Sequence, residues 1–179
     1  MKTTALNRQA ILLLSILTSA IPVHGFAQNF SGAFKGMQDT DKPIQIEADR
    51  LEVMDKQGIA LFTGNVNVVQ GVTILKARRL KVTYARGGGG PGGNLKYLEA
   101  SGKIAVRSGE QKVSADKGEF DMLKQTVKLS GNVVISQGAN VVSGCILEVD
   151  LGTSSALLKP CEKQKRAIMM FNTKSAPKK

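Results

Sequence analysis

The chain has 179 residues, 42% of them hydrophobic, enough for one domain with a real core. Aromatic residues make up only 4%, Trp is absent and 19 residues are Gly, which speaks against a helical bundle and for β structure rich in turns. The formal net charge is +11, but residues 159–179 hold seven basic side chains against the single acid Glu162, while residues 28–158 hold 16 basic and 13 acidic ones; this distribution, with few rings for base stacking, excludes a folded nucleic-acid domain.

Residues 1–27 have the layout of a secretory signal. Lys2 and Arg8 precede the apolar run at 10–21, and an exit follows at Val23-His24-Gly25 or Gly25-Phe26-Ala27. The run is shorter than the roughly 20 residues that span a bilayer. Cleavage and export are therefore expected. Residues 28–42 form a lead segment.

Residues 43–158 read as one β domain built from a repeat. The stretch 62–82, "FTGNVNVVQGVTILKARRLKV", returns at 129–149 as "LSGNVVISQGANVVSGCILEV". The two share Gly64/Gly131, Asn65/Asn132, Val66/Val133, Gln70/Gln137, Gly71/Gly138, Leu80/Leu147 and Val82/Val149. A weaker copy lies at 100–120, and a half copy, "IQIEADRLEV", at 44–53. Small-residue corners mark the beat: Ala48-Asp49, Ala77-Arg78, Ala115-Asp116 and Gly144-Cys145, spaced by 29, 38 and 29 residues. The longer interval contains "ARGGGGPGG" at 85–93, a hairpin tip by composition. It lacks the Gly-Lys-Ser/Thr ending and following helix of a phosphate loop.

Within each copy the apolar period is two, the mark of strands with one dry and one wet face. Phe62, Val66, Val68, Leu75, Ile104, Val106, Val113, Phe120, Leu129, Val133 and Ile135 share the inner phase. From Ala77 to Leu80, and from Ala48 to Leu51, the phase slips by three, as a strand turning a corner requires. One copy cannot bury its inner row alone; stacked copies can. An all-β, folded-over antiparallel sheet with an apolar interior is expected. The inner row either packs on itself, as in any β-sandwich, or lines a groove.

The sheet ends should be unpaired. The first edge would be Ile44, Gln45 and Ile46, and the last the strand holding Val141, Val142, Leu147 and Val149. Such edges seek another strand, so head-to-tail self-association is expected. Beyond 158 the basic stretch 159–179 reads as a flexible tail, with "AIMMF" at 167–171 as its one apolar run. Cys145 and Cys161 are the only cysteines; export permits their bridging. With the one His inside the signal, the usual zinc ligands are missing and no metal or cofactor is expected. No Ser or Cys has a neighbouring base. The acids sit at corners among Lys and Arg, so no catalytic site is expected.

The motifs "DKPIQIEADRLEV", "FTGNVNVVQG", "VSADKGEFD" and "LSGNVVISQG" together resemble the OstA-like domain of the LptA family of periplasmic lipopolysaccharide transport proteins. The resemblance covers about residues 41–158. It implies an OstA-like β-jellyroll that carries lipopolysaccharide, by its lipid A part, from inner to outer membrane without chemistry of its own. It further implies an LptC-like inner-membrane partner at the first edge and an LptD-like outer-membrane partner at the last. Two other readings share these residues: a structural envelope adaptor of the same fold, and an LptC-like anchored component if the signal is retained.

Overall fold

The computed structural model of the chain describes residues 33–34, 42–86, 94–163 and 166–170. The signal at 1–27, most of the lead segment, the glycine-rich stretch 87–93 and residues 171–179 lie outside the described residues. Among the described residues ten strands form one antiparallel sheet: β1 (Ile44–Glu47), β2 (Arg50–Met54), β3 (Ile59–Gln70), β4 (Thr73–Tyr84), β5 (Leu95–Ser108), β6 (Gln111–Asp121), β7 (Thr126–Gln137), β8 (Asn140–Asp150), β9 (Ser155–Lys159) and β10 (Ile168–Met170). Strands β3 to β8 follow one another as a meander of long strands. The short ones work in pairs: β1 and β2 both pair with β3, and β9 and β10 both pair with β8.

The repeat seen in the sequence is the spacing of a fold line. Every ladder between the long strands shifts register near its middle, from Thr63/Val66 in β3 to Ser130/Val133 in β7. On β3, β5 and β7 the shift is made by two consecutive residues with positive φ: Gly64-Asn65, Gly102-Lys103 and Gly131-Asn132. On β3 the pair Gly64-Asn65 opposes the single residue Arg78 of β4, which is a β-bulge and bends the strand. The bulges are held from the side. Asn65 donates to the Asp49 carboxylate at 2.9 Å, and Asn132 donates to Asp116 at 2.8 Å. A side chain at Gly64 or Gly131 would collide with that carboxylate, so glycine is required there for space as well as for backbone conformation.

The bulge line divides the sheet into two arms. The hairpin arm ends in three two-residue turns led by Gly71, Gly109 and Gly138, each at positive φ, the pattern of type II′ hairpins. The other arm carries the longer connections. Both arms bury the same face, and their buried residues form one core cluster. Gly118 marks where they meet: a Cβ there would lie 2.7 Å from Ile104 Cδ1 of the opposite arm and 3.0 Å from Leu129 Cδ2.

Two expectations about the C-terminal part are corrected. Val141, Val142, Leu147 and Val149 do not form a free edge: Val141 and Val142 pair with Met170 and Met169 of β10, and Leu147 and Val149 with Leu158 and Ala156 of β9. The stretch after 158 is not simply a tail. Lys159 ends β9 and bonds the Glu148 carboxylate at 2.9 Å, Cys161 is bridged to Cys145, and Ile168–Met170 adds β10. The disulfide clasps the chain leaving β9 to the corner of β8. Alternation in "SALLK" marks β9, but three residues of β10 are too few to show a period.

Two outcomes test this packing. Gly118→Leu should lower unfolding free energy by about 1–3 kcal/mol, because the arms must separate to admit the side chain; denaturant titration measures it. The Cys145–Cys161 bridge closes a separation of 16 residues, and reducing it should cost about 3 kcal/mol. The loss should be absent in the Cys145→Ser, Cys161→Ser double variant, whose stability should equal that of the reduced protein.

Candidate functional site

The inner face is organised as rows that cross all strand positions. In one arm, register aligns Leu51, Phe62, Leu80, Ala100, Gly118, Leu129, Leu147 and Leu158. A parallel row runs from Val53 through Ala60, Val82, Leu98, Phe120, Val127 and Val149 to Ala156. In the hairpin arm the corresponding row is Ile46, Val68, Leu75, Val106, Val113, Ile135, Val142 and Met169. The rows face each other across the fold and make an apolar slot that runs from the first edge to the last.

All eleven inner-row residues singled out in the sequence are buried in this slot, from Phe62 through Ile135. Sequence reading omitted Leu80, Val82, Leu98 and Val127, which lie in the same arm as Phe62, Phe120 and Leu129 and are equally buried. It also missed Ala33 and Phe34, both buried and both in a helical turn outside the sheet.

The ends of the slot differ from its middle. At the first edge Leu51 and Val53, members of the inner rows, are 53% and 45% exposed. At the last edge Met169 is 42% exposed. The apolar lining thus reaches solvent at both sheet edges. The hairpin rim is polar instead. Thr73 bonds Ser108 at 3.0 Å, Gln111 bonds Gln137 at 3.4 Å, and Gln70 donates to the Lys42 carbonyl at 3.3 Å. A ladder of neutral hydrogen-bonding groups closes the slot along that side without burying charge.

The outer face is charged and half-exposed. Lys81 pairs with Glu99 at 2.7 Å, and Lys159 beside Glu148 holds that carboxyl below the usual range. Tyr97 donates to Glu119 at 2.8 Å. Burial first, and then that bond and the surrounding carboxylates, push its phenol up to about 12. Tyr84 is raised too, by burial and then by its bond to Asp55. Among the described residues no cluster of His, Cys, Asp and Glu is placed to hold a metal.

The sequence and the fold both have counterparts among known proteins. The sequence model of the family described as LptA/(LptD N-terminal domain) LPS transport protein matches residues 45–154. The chain belongs to this family. Among its LptA-type relatives, the lipopolysaccharide export system protein LptA of Escherichia coli (strain K12) is 32% identical over 150 residues, 80% of this chain and 73% of that protein. An uncharacterized protein of Rhizobium meliloti (strain 1021) is 40% identical over 157 residues, 85% of this chain and 84% of that one. The fold matches the crystal structure of LptH, the LptA homologous periplasmic component of the lipopolysaccharide transport device of Pseudomonas aeruginosa, with a TM-score of 0.64 at 20% identity, covering 76% of this chain and 99% of that one. The all-β jellyroll expected from the repeat is therefore the LptA-type fold.

The raised phenols give a pH test. Folding favours the neutral phenol, whose ordinary pKa is about 10. The stabilisation is present below that value and is lost as pH rises towards about 12. Alkaline titration of the folded protein should show tyrosinate absorbance only well above pH 10. Tyr97→Phe should make stability less sensitive to pH in the window from about 10 to about 12.

Proposed function

We propose that the protein carries lipopolysaccharide through the periplasm, with the acyl chains of lipid A in the slot and the sugars and phosphates in water. The observation that carries this reading is the continuity of the apolar rows from one sheet edge to the other. An ordinary sandwich needs a dry centre; it does not need apolar side chains kept in register out to exposed edges. The names of the relatives, export system proteins for the same lipid, point the same way.

The physical need is large. Each exposed methylene costs about 0.8 kcal/mol in water. An acyl chain of about 14 carbons would meet a barrier on the order of 11 kcal/mol in crossing an aqueous gap. A dry slot removes most of that barrier, and a lining of Val, Leu and Ile with no charge gives the chain no site to stick to. The relatives are named as lipopolysaccharide export proteins, which favours a carrier over an enzyme. The signal at 1–27 supports export to the periplasm.

The edges support assembly into a longer slot. β1 and β10 lie in the hairpin arm; β2 and β9 lie in the other arm. The first and last strand positions run in opposite directions, so β9 and β10 of one copy can pair antiparallel with β2 and β1 of the next. Ile44, Gln45 and Ile46 then form the accepting edge. The donating edge is β9 and β10 rather than Val141, Val142, Leu147 and Val149. The same geometry would receive an LptC-like domain at the first edge and an LptD-like domain at the last.

Site-specific photo-crosslinking in cells tests the carrier reading. Probes at Val68 or Val106, which face the slot, should capture lipopolysaccharide; probes at Asn67 or Ala105, on the opposite face, should not. Equal capture by both faces would count against a slot. For assembly, light scattering of the wild type should show growth with concentration. Ile44→Pro, which restricts the edge backbone and removes a donor, should abolish that growth while circular dichroism keeps its β signature. A wild type that stays monomeric at high concentration would sink the head-to-tail arrangement.

A further inference from the structure

Ala33 and Phe34 have no place in the sheet, yet they are 1% and 0% exposed. The Phe34 ring meets Phe120, a member of an inner row, edge-on with centroids 5.7 Å apart. This is the geometry of a well-packed aromatic pair. Beside Phe120 the slot retains a cavity of only about 20 Å³, walled by Ile44 and Val68 from one arm and by Leu80 and Leu98 from the other. That is room on the order of one water, and too little for a hydrocarbon chain.

We propose that Phe34 occupies the seat of an acyl chain beside Phe120 in the slot, and that loading of lipid there displaces it. The inference rests on the carrier reading above. Its physical basis is the difference between Phe34 and every other large residue of the core. Leu129 or Phe120 cannot leave without breaking a strand ladder. Phe34 belongs to a helical turn outside the sheet, so its departure breaks no strand ladder. An apolar slot with nothing in it would forfeit packing contacts along its lining or would collapse. A tethered phenyl ring keeps the arms apart and dry until hydrocarbon replaces it. The exchange is one apolar occupant for another, so it needs no compensating polar contact.

The displaced state is then the one that binds. Apparent affinity for lipid is lowered by the fraction of molecules in which the seat is vacated. Removing the ring should tighten binding, although it removes contacts from the lipid-free protein.

The test uses the full chain expressed for export, with deep-rough lipopolysaccharide as the probe. Phe34→Ala should bind it about tenfold or more tightly than the wild type. Phe34→Trp gives a direct readout, because the chain has no other Trp. Its emission should be blue and protected from acrylamide without lipid, then shift to the red and become quenchable as lipopolysaccharide saturates. Binding by the wild type with no gain in Phe34→Ala, and an indole that stays protected when lipid is bound, would overturn the proposal and leave the carrier reading standing. If neither the wild type nor Phe34→Ala binds lipopolysaccharide, the carrier reading falls and takes the seat with it.

Discussion

The fold depends on one backbone constraint: two consecutive residues at positive φ in the middle of every second long strand. Most L-residues avoid that region, and a pair of them in a strand is costly unless one is glycine. Gly64-Asn65 and Gly131-Asn132 meet the requirement with the two residue types best suited to it; Asn132 is tied to Asp116 on β6, and Asn65 to Asp49 at the corner between β1 and β2. Gly102-Lys103 makes the same turn with a lysine at φ 64, so the middle copy repeats the backbone without the Asn–Asp bond. Because the bulges align across the sheet, the bend is shared by all strands. Without them the meander would be a flat sheet with one face exposed to water. With them the two halves of that face cover each other.

Bending an open sheet leaves its edges available, whereas closing it into a barrel would not. Every strand position contributes one residue to each row, apolar at every place but Gly118. The lining is therefore a property of the sheet's length, and no single residue creates it. This differs from an active site, where a few groups converge on one point. It also explains the outer face, where Lys81–Glu99 and Lys159–Glu148 pairs are half-exposed and add little to stability. Their value is a hydrated surface on the side turned away from the slot.

Much of this was legible in the sequence because the repeat is periodic at two scales. The alternation marked the inner face, and the slip from Ala77 to Leu80 marked the bulge line; both survive in the structure as rows and register shifts. Cys145 and Cys161 carried the possibility of a bridge but not its consequence for the last strand. The edge at Val141–Val149 was misjudged because β9 is short and β10 shorter, and a three-residue strand has no period to detect. Phe34 was invisible for a deeper reason. A side chain inserted from outside the sheet follows no strand register, so its burial is decided by space between two arms that only the folded chain creates.

The opposed first and last strand positions also set a scale. The sheet path has eight positions, with β1 and β2 sharing the first and β9 and β10 the last. Neighbouring strands lie about 4.8 Å apart, so one domain extends on the order of 38 Å along the slot. The proposed head-to-tail array would grow by whole multiples of that length. It also has a direction, since its two ends are different surfaces. A gap between two membranes would then be measured in integers of this chain, and any misfit smaller than one domain would have to be absorbed by twist.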